Sequence, residues 1–344
     1  MEKYIIRNSE SILGAIVRLD QLSSDTLTLL IIDENDIMKG TLTDGDIRRG
    51  LIKGIKLSDS VEKVMKTDFS FVNHKKIDLN QLRKYKANDI QLLPVLTEER
   101  KIVKVIDLKR KRSLLQLDSV IMAGGRGERL RPLTDSVPKP LLKLGEKSII
   151  DYNIESIISY GIENLHITVH YLAEQIINHT ERYSKEIRIN CITEELPLGT
   201  FGSVKKIKTL ENDFLLIMNA DLFTDIDLED FFLSFLESKA DMAIATVPYT
   251  INIPYAILET NADEVRSFKE KPSITHFINA GIYIIRRDLI SLIPDAFFNA
   301  TDFIQLMLDN NKKVIKYPIT GYWVDIGKPE DFKMAQELVK HIRA

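Results

Sequence analysis

A single cysteine, Cys191, stands among 344 residues. That excludes an internal disulfide framework and any multi-cysteine zinc site, and the thiol reads as a partly buried small side chain. An excess of basic charge is also missing. Lys and Arg number 47 against 50 Asp and Glu, a net of −3. This argues against a general nucleic-acid binder, whose affinity rests on neutralising phosphates. No apolar run approaches the ~20 residues of a membrane-spanning helix; the longest are short, such as Leu27–Ile32 and Phe214–Met218. The opening MEKYIIRNSE has no signal-peptide pattern. Neither a membrane nor a nucleic acid is therefore an expected partner, and the cytoplasm is the default location. Apolar residues at 44% and charged residues at 28% suit a folded globular chain and are too apolar for a disordered one. At roughly 150 residues per domain the length suggests two domains.

Charge divides the chain. Residues 1–117 carry 22 basic and 17 acidic side chains, a net of +5, and residues 118–344 carry 25 and 33, a net of −8. The asymmetry supports a boundary near residue 116, with domains at 1–115 and 118–344. The run Lys109-Arg110-Lys111-Arg112 could be a nuclear or nucleic-acid signal, but four charges without aromatics specify little, and it reads as a solvated linker or helix end. The first domain looks like a tandem repeat with an offset of 64 residues: LIIDENDIMKGTLTDGD (Leu30–Asp46) and PVLTEERKIVKVIDLKR (Pro94–Arg110). Each copy predicts strand, polar turn and strand, preceded by a helical stretch, Ser9–Leu22 in one and Leu79–Lys86 in the other. Two units that cannot each close a core should pack together.

The segment GTLTDGDIRRGL (Gly40–Leu51) resembles the cystathionine-β-synthase (CBS) module, which usually occurs as a pair. The resemblance implies a regulatory or dimerising domain in which Thr43 and Asp46 bind the ribose of an adenine nucleotide. Asp46 can accept from ribose hydroxyls, and N–H groups at a helix start can hold phosphate. The alternative is that Thr43 and Asp46 only cap the helix starting at Ile47. In the second copy Asp107 and Arg110 occupy the equivalent positions, so at most one adenosine site is supported.

From residue 118 short apolar runs alternate with helical stretches. Strands are expected at Ser119–Met122, Leu165–Val169, Ile187–Ile192, Phe214–Met218 and Ala243–Val247, and helices at Ile149–Tyr160, Leu172–Thr180 and Asp331–Arg343. Alternating β and α means an α/β fold with a mostly parallel sheet, whose ligands bind beyond the carboxyl ends of the strands. After the first strand comes MAGGRGERLRPLTDSVPKPL (Met122–Leu141). It is not a Walker loop, which needs GxxxxGK[ST], nor a dinucleotide fingerprint, since the third glycine of GxGxxG is missing. Gly124, Gly125 and Gly127 let backbone N–H groups approach phosphates. Pro132, Pro138 and Pro140 stiffen the segment around Lys139. Arg129 offers a planar fork and Lys139 a compact charge, a combination suited to a polyphosphate.

This loop resembles the signature of sugar-1-phosphate nucleotidyltransferases, GGxGxRLxPLTxxxPKPL. Later motifs follow in that family's order: EELPLGTFGS (Glu194–Ser203), NADLFTDID (Asn219–Asp227), PYAILE (Pro254–Glu259), EKP (Glu270–Pro272), NAGIY (Asn279–Tyr283) and YWVDIGKPEDF (Tyr322–Phe332). The resemblance implies a Rossmann-like, GT-A-like domain that transfers a nucleoside monophosphate to a sugar 1-phosphate and releases pyrophosphate. Asp221 and Asp325 would hold Mg²⁺, an ordinary role for two carboxylates joined by phosphate oxygens and waters. Arg129 would meet the β,γ-phosphates and Lys139 the α-phosphate. Lys271 would hold the sugar phosphate and Glu270 the sugar hydroxyls, with Asn279 and Gly281 lining the sugar pocket and Gly199 and Thr200 beside the nucleotide. Asp225 and Asp227 read as surface or cap residues. Tyr255 and Trp323 either stack on the ligand or fill core.

In that family a side chain before the LGT segment meets the base edge; here it is Glu194 or Glu195. A carboxylate accepts two hydrogen bonds, and guanine offers two adjacent donors, so GTP is favoured, with CTP or UTP as the alternative. The motif style is most similar to guanylyltransferases of the mannose-, heptose- and glucosamine-1-phosphate type. With a CBS pair ahead, glucosamine 1-phosphate and a legionaminic-acid or other surface-glycan pathway are implied, in a homo-oligomer. Phe201 and Ser203 stand where the family reads small residues, and Ala256 where it has glycine. They are expected to narrow the sugar pocket or weaken activity. The rival from another class is a non-catalytic regulator that binds a nucleotide-sugar; intact Arg129, Lys139, Asp221 and Asp325 argue against it.

Overall fold

The computed structural model describes residues 2–22, 26–75 and 77–342. Contacts divide it into two compact units, Met1–Leu115 and Gln116–Ala344.

The first unit contains β1 (Ile5–Arg7), α1 (Ile12–Gln21), β2 (Thr28–Ile32), β3 (Met38–Thr43), α2 (Asp44–Ile52), β4 (Val72–Asn73), α3 (Leu79–Ala87), β5 (Leu92–Leu96) and β6 (Ile102–Asp107). Its two sheets, β1-β2-β3 and β4-β5-β6, have one topology: a parallel pair followed by an antiparallel one. The repeat holds in detail. The starts of β2 and β5 differ by 64, as do those of β3 and β6. The hairpin turns place Asp36 and Arg100 at the same positive φ of 62°. The two copies share one core, in which Leu29, Leu30, Met38 and Leu42 pack with Leu92 and Leu96. The copies then diverge. α2 begins at Asp44, three residues before the expected Ile47, because Thr43 and Asp46 form a reciprocal capping box. At the equivalent place in copy two, Asp107 accepts from the Lys109 N–H (2.9 Å) and no helix follows among the described residues.

The second unit contains β7 (Asp118–Ala123), β8 (Lys143–Leu144), β9 (Lys147–Ser148), α4 (Ile149–Ser159), β10 (Asn164–Val169), α5 (Ala173–Thr180), β11 (Arg188–Thr193), α6 (Gly199–Gly202), β12 (Phe214–Asn219), β13 (Leu222–Thr224), α7 (Leu228–Ser238), β14 (Met242–Asn252), β15 (Ile257–Asn261), β16 (Glu264–Lys269), β17 (Ser273–Arg286), α8 (Ala300–Asp309), β18 (Val314–Pro318), β19 (Trp323–Asp325) and α9 (Pro329–Ile342). Arg343, at the end of the helix expected there, lies outside the described residues. The α/β expectation holds. A seven-stranded sheet runs β11-β10-β7-β12-β17-β14-β18, parallel except where β17 pairs antiparallel with β12 and β14. β7 and β10 are buried at every position, as strands covered on both faces must be. α4 turns Ile150, Ile154, Ile157 and Ile158 inward and stops at Gly161, whose φ of 73° suits glycine.

β14 is longer than the expected Ala243–Val247. Its outer half pairs with β17 as far as Asn252↔Ser273, and β15 and β16 continue as a hairpin. Polarity hid this extension, because residues 248–252 are exposed and carry no buried-strand signal.

Candidate active site

The central strands end on one side of the sheet, and the loops there enclose a cavity of about 280 Å³. Gly124 and Gly125 follow β7 and line it, as do Lys139, Glu194, Gly199, Thr200, Asn219 and Asp221. Gly127 stands behind them at φ 63°; a Cβ there would lie 3.0 Å from Lys139 Cβ and from Thr134 Cγ2. The absent side chain therefore lets Lys139 fold against the loop. Thr134 Oγ1 donates to Gly127 O at 2.9 Å and closes the loop on itself.

Two carboxylates meet beside the cavity although 104 positions separate them in sequence. β13 pairs antiparallel with β19, which sets Leu222 opposite Asp325, and Ile326 N–H donates to Asp221 O at 3.1 Å. The Lys139 ammonium contacts Asp221 Oδ2. Arg129 lies over Gly327, where a Cβ would come 3.2 Å from its Nη2. Each cation thus stands near one of the aspartates. One apolar cluster fixes all four: Leu130 and Leu142, next in chain to the cationic turns, pack with Phe223, Val324 and Ile326 from the aspartate ribbon.

Burial, and then the like charge of Asp221, push the Asp325 carboxyl up, while Lys139 and Arg129 oppose the shift. Asp221 Oδ1 and Asp325 Oδ1 are both buried without a hydrogen-bond partner among the described residues. Two orphaned carboxylate oxygens among cations suit a hard divalent ion that completes its shell with waters and phosphate oxygens. No group of three His, Cys, Asp or Glu that could hold a metal occurs among the described residues, so such an ion would depend on its substrate for ligands.

Of the two acids before LGT, only Glu194 lines the cavity; Glu195 is exposed. Glu194 is buried, accepts from Leu198 N–H at 3.0 Å through Oε2, and turns Oε1 toward Gly124. The LGT turn is held by a distant segment. Phe201 and Gly202 N–H both donate to Phe298 O at 2.9 Å, Phe298 N–H donates to Leu198 O at 2.8 Å, and Ala300 N–H donates to Thr200 Oγ1 at 2.7 Å. A Cβ on Gly199 would meet Phe298 O at 2.7 Å. This segment brings Phe297, 62% exposed, and Asn299 onto the cavity wall. The sequence carried no periodic or motif signal for either.

Several expectations change in the structure. Phe201 does not narrow a pocket: it is fully buried, tilted 30° against Phe303 at 4.8 Å and edge-on to Tyr283 at 5.3 Å, and Ser203 is also buried. Space below the LGT turn, filled by a large ring, explains why a small residue is not needed. Gly281 abuts Asn219, since a Cβ would lie 2.5 Å from its Nδ2. Asn279 donates to Tyr283 OH at 2.8 Å and accepts from Gly281 N–H. Glu270 and Lys271 are exposed between β16 and β17 and stand outside the cavity lining. Tyr255 is 75% exposed, whereas Trp323 is half-buried and donates to Ala280 O at 2.9 Å. Asp227 caps α7 by accepting from Glu229 and Asp230 N–H. Cys191 is half-buried, and burial pushes its thiol up. No helix among the described residues is long and apolar enough to cross a membrane.

Residues 118–341 match the family model described as nucleotidyl transferase. The chain is 31% identical over 229 residues to the mannose-1-phosphate guanyltransferase of Pichia angusta, covering 63% of this chain and 62% of that protein. It is 31% identical over 236 residues to the mannose-1-phosphate guanylyltransferase of Mycobacterium tuberculosis, covering 66% of each. Among solved structures, HddC from Yersinia pseudotuberculosis complexed with GMP-PN superposes with a TM-score of 0.51 at 27% identity, over 65% of this chain and 99% of that one. The chain spans 62% of the length of the first of these curated relatives.

Proposed function

Because this chain belongs to the nucleotidyl transferase family, we propose that it transfers GMP from GTP to a sugar 1-phosphate, giving a GDP-sugar and pyrophosphate. The observation that carries the reading is the convergence of Lys139, Arg129 and two orphaned aspartate oxygens beside a glycine-lined cavity. Relatives named as mannose-1-phosphate guanylyltransferases support it, as does the GMP-PN complex of HddC.

The chemistry needs no protein nucleophile. An oxygen of the sugar phosphate attacks the α-phosphorus in line, the bond to the bridging oxygen breaks, and pyrophosphate leaves with that electron pair. The protein's task is positioning and charge stabilisation. Asp221 and Asp325 would hold Mg²⁺, which neutralises charge developing around the α-phosphate. Lys139, 8% exposed, acts on the same phosphate from a site where water screens little. Arg129, in the exposed turn, receives the departing β,γ-phosphates. Glu194 accepts from the guanine edge. Glu270 and Lys271 take the sugar and its phosphate, with Asn279 and Gly281 at the edge of that subsite. Glucosamine 1-phosphate is the favoured acceptor and a surface-glycan precursor the favoured product, made in the cytoplasm.

We further propose that residues 1–115 are a tandem CBS module that pairs subunits and binds an adenine nucleotide. Thr43, Asp46, Arg49 and Lys66 line a cavity of about 430 Å³ within that unit, which supports the reading. Thr43 and Asp46 are also occupied as the α2 cap, so a ribose would share Asp46 with the helix.

Pyrophosphate release measured with four nucleoside triphosphates against mannose, heptose and glucosamine 1-phosphates tests the reaction. Release is expected with GTP. Release with CTP or UTP alone moves the base assignment, and none with any pair leaves a binding protein instead. Thermal shift of the full chain with AMP, ADP and ATP tests the first unit; no shift defeats the adenine site.

A further inference from the structure

We propose that Thr168 reads the base of the nucleotide, its hydroxyl donating to the carbonyl oxygen at position 6 of guanine. The proposal rests on the guanylyltransferase reading and deepens it.

Thr168 sits at the penultimate position of β10 and is 1% exposed. Its Oγ1 is buried with no hydrogen-bond partner among the described residues. A buried hydroxyl left unpaired is a standing cost to the fold, and valine would fill the same space without it. A ligand in the cavity can supply the partner that the fold does not.

The register shows where the residue sits. Thr168 lies opposite Met122 of β7, and Asn219 of β12 lies opposite Met122. The three side chains share one face of the sheet at its carboxyl end, and all three residues line the cavity. Across this row, Lys139 and Asp221 occupy the β12 side and leave the β10–β11 side for the nucleoside. Glu194, which follows β11, is tied there by its N–H to Val169 O at 2.8 Å. Thr168 and Glu194 thus stand together at the end away from the phosphate-binding charges.

Their chemistries are complementary. An ionised carboxylate only accepts, so Glu194 can satisfy the N1–H and exocyclic amine of guanine but would repel the neighbouring carbonyl oxygen. A hydroxyl can donate, and Thr168 supplies that missing donor. Adenine carries an amine at the same place and would present N–H to the hydroxyl while leaving Glu194 without its N1–H.

The test is a ligand–residue cycle on the full chain. Affinities for GTP, ITP and 2-aminopurine riboside triphosphate, which lacks the 6-oxygen, are measured by calorimetry with Mg²⁺ for unaltered protein and Thr168→Val. The substitution should weaken GTP and ITP alike, by roughly three- to tenfold, and leave the 2-aminopurine compound unaffected. Thermal stability without ligand should be equal or higher, because an unpaired hydroxyl is removed. An equal loss for all three compounds would place the hydroxyl on ribose, and no loss would remove it from the site; either overturns the proposal. Absence of binding of any triphosphate to unaltered protein overturns the functional reading as well, so the two failures are separable.

Discussion

Lys139 and Asp221 form a contact that uses only half of the carboxylate. The ammonium meets Oδ2, while Oδ1 stays buried and, among the described residues, unpartnered, as does Oδ1 of Asp325. A structural ion pair at this depth would have both oxygens satisfied, since a buried polar atom without a partner destabilises the fold. The arrangement makes sense if a cation and a phosphate complete it. The raised carboxyl of Asp325 has the same origin, because burial and the neighbouring Asp221 oppose its charge.

Asp221→Asn should therefore lower pyrophosphate release by about 10²- to 10³-fold, the range seen when one electrostatic partner of a transition state is removed. The overall fold should survive, as the amide fits the same space. Chelating divalent ions from the unaltered protein should abolish release just as fully. Undiminished turnover by the variant would take Asp221 out of the site.

Gly199→Ala should cost stability by about 1–3 kcal/mol. The backbone has φ 77°, and the new methyl would meet Phe298 O at 2.7 Å, a carbonyl held by two N–H groups that cannot both follow it. Urea unfolding of the second unit measures this. An unchanged midpoint would mean that the 297–299 segment is not clamped to the LGT turn.

Phe297→Ala should separate binding from stability. The ring is 62% exposed, so its loss should change unfolding free energy by less than about 0.5 kcal/mol. Nucleotide affinity should fall about tenfold, the scale of one ring stacked on a base. Equal affinity for variant and unaltered protein would leave Phe297 a spectator.

Stability of the second unit should fall in acid through Asp151. This carboxylate is 1% exposed and accepts from Ser148 N–H (2.7 Å), His179 Nε2 (2.7 Å) and Tyr183 OH (2.9 Å). Burial raises its pKa, but His179 and the two other donors outweigh that and hold the carboxyl far below the ordinary 3.8. A group depressed in the folded state contributes fully above its unfolded value and loses that contribution as pH drops through the window below it. Circular dichroism across that window should show progressive loss of structure. Asp151→Asn should flatten the dependence and lower stability at neutral pH; an unchanged acid transition would assign it to other carboxylates.

Legibility in the sequence tracked locality. The cationic glycine loop could be read because glycine and proline spacing constrains backbone within a few residues. Strands β7, β10 and β12 could be read because burial on both faces leaves continuous apolar runs. The 64-residue repeat could be read because its pattern of apolar strand, polar turn and strand recurs. Glu194 and Glu195 could not be told apart, since alternate residues leaving a strand point opposite ways and only the fold decides which way is inward. Phe201 was misjudged because the space beneath the LGT turn is shaped by Phe303 and Tyr283, about 80 to 100 positions away.

By itself the amino-acid order determined the parts: a repeated first unit, a parallel-sheet second unit, and the inventory of glycines, two cations and two acids. Those are set by local backbone preference and by apolar periodicity, which act over a few residues at a time. Only the tertiary structure decided which parts meet. It put Asp221 beside Asp325 through the β13–β19 pairing, brought Phe297 and Asn299 to the cavity wall, and left the Thr168 hydroxyl, in a residue lining that cavity, without a hydrogen-bond partner among the described residues. Hydrogen bonds and packing between segments a hundred residues apart leave no period in the chain, so they exist only once it has folded.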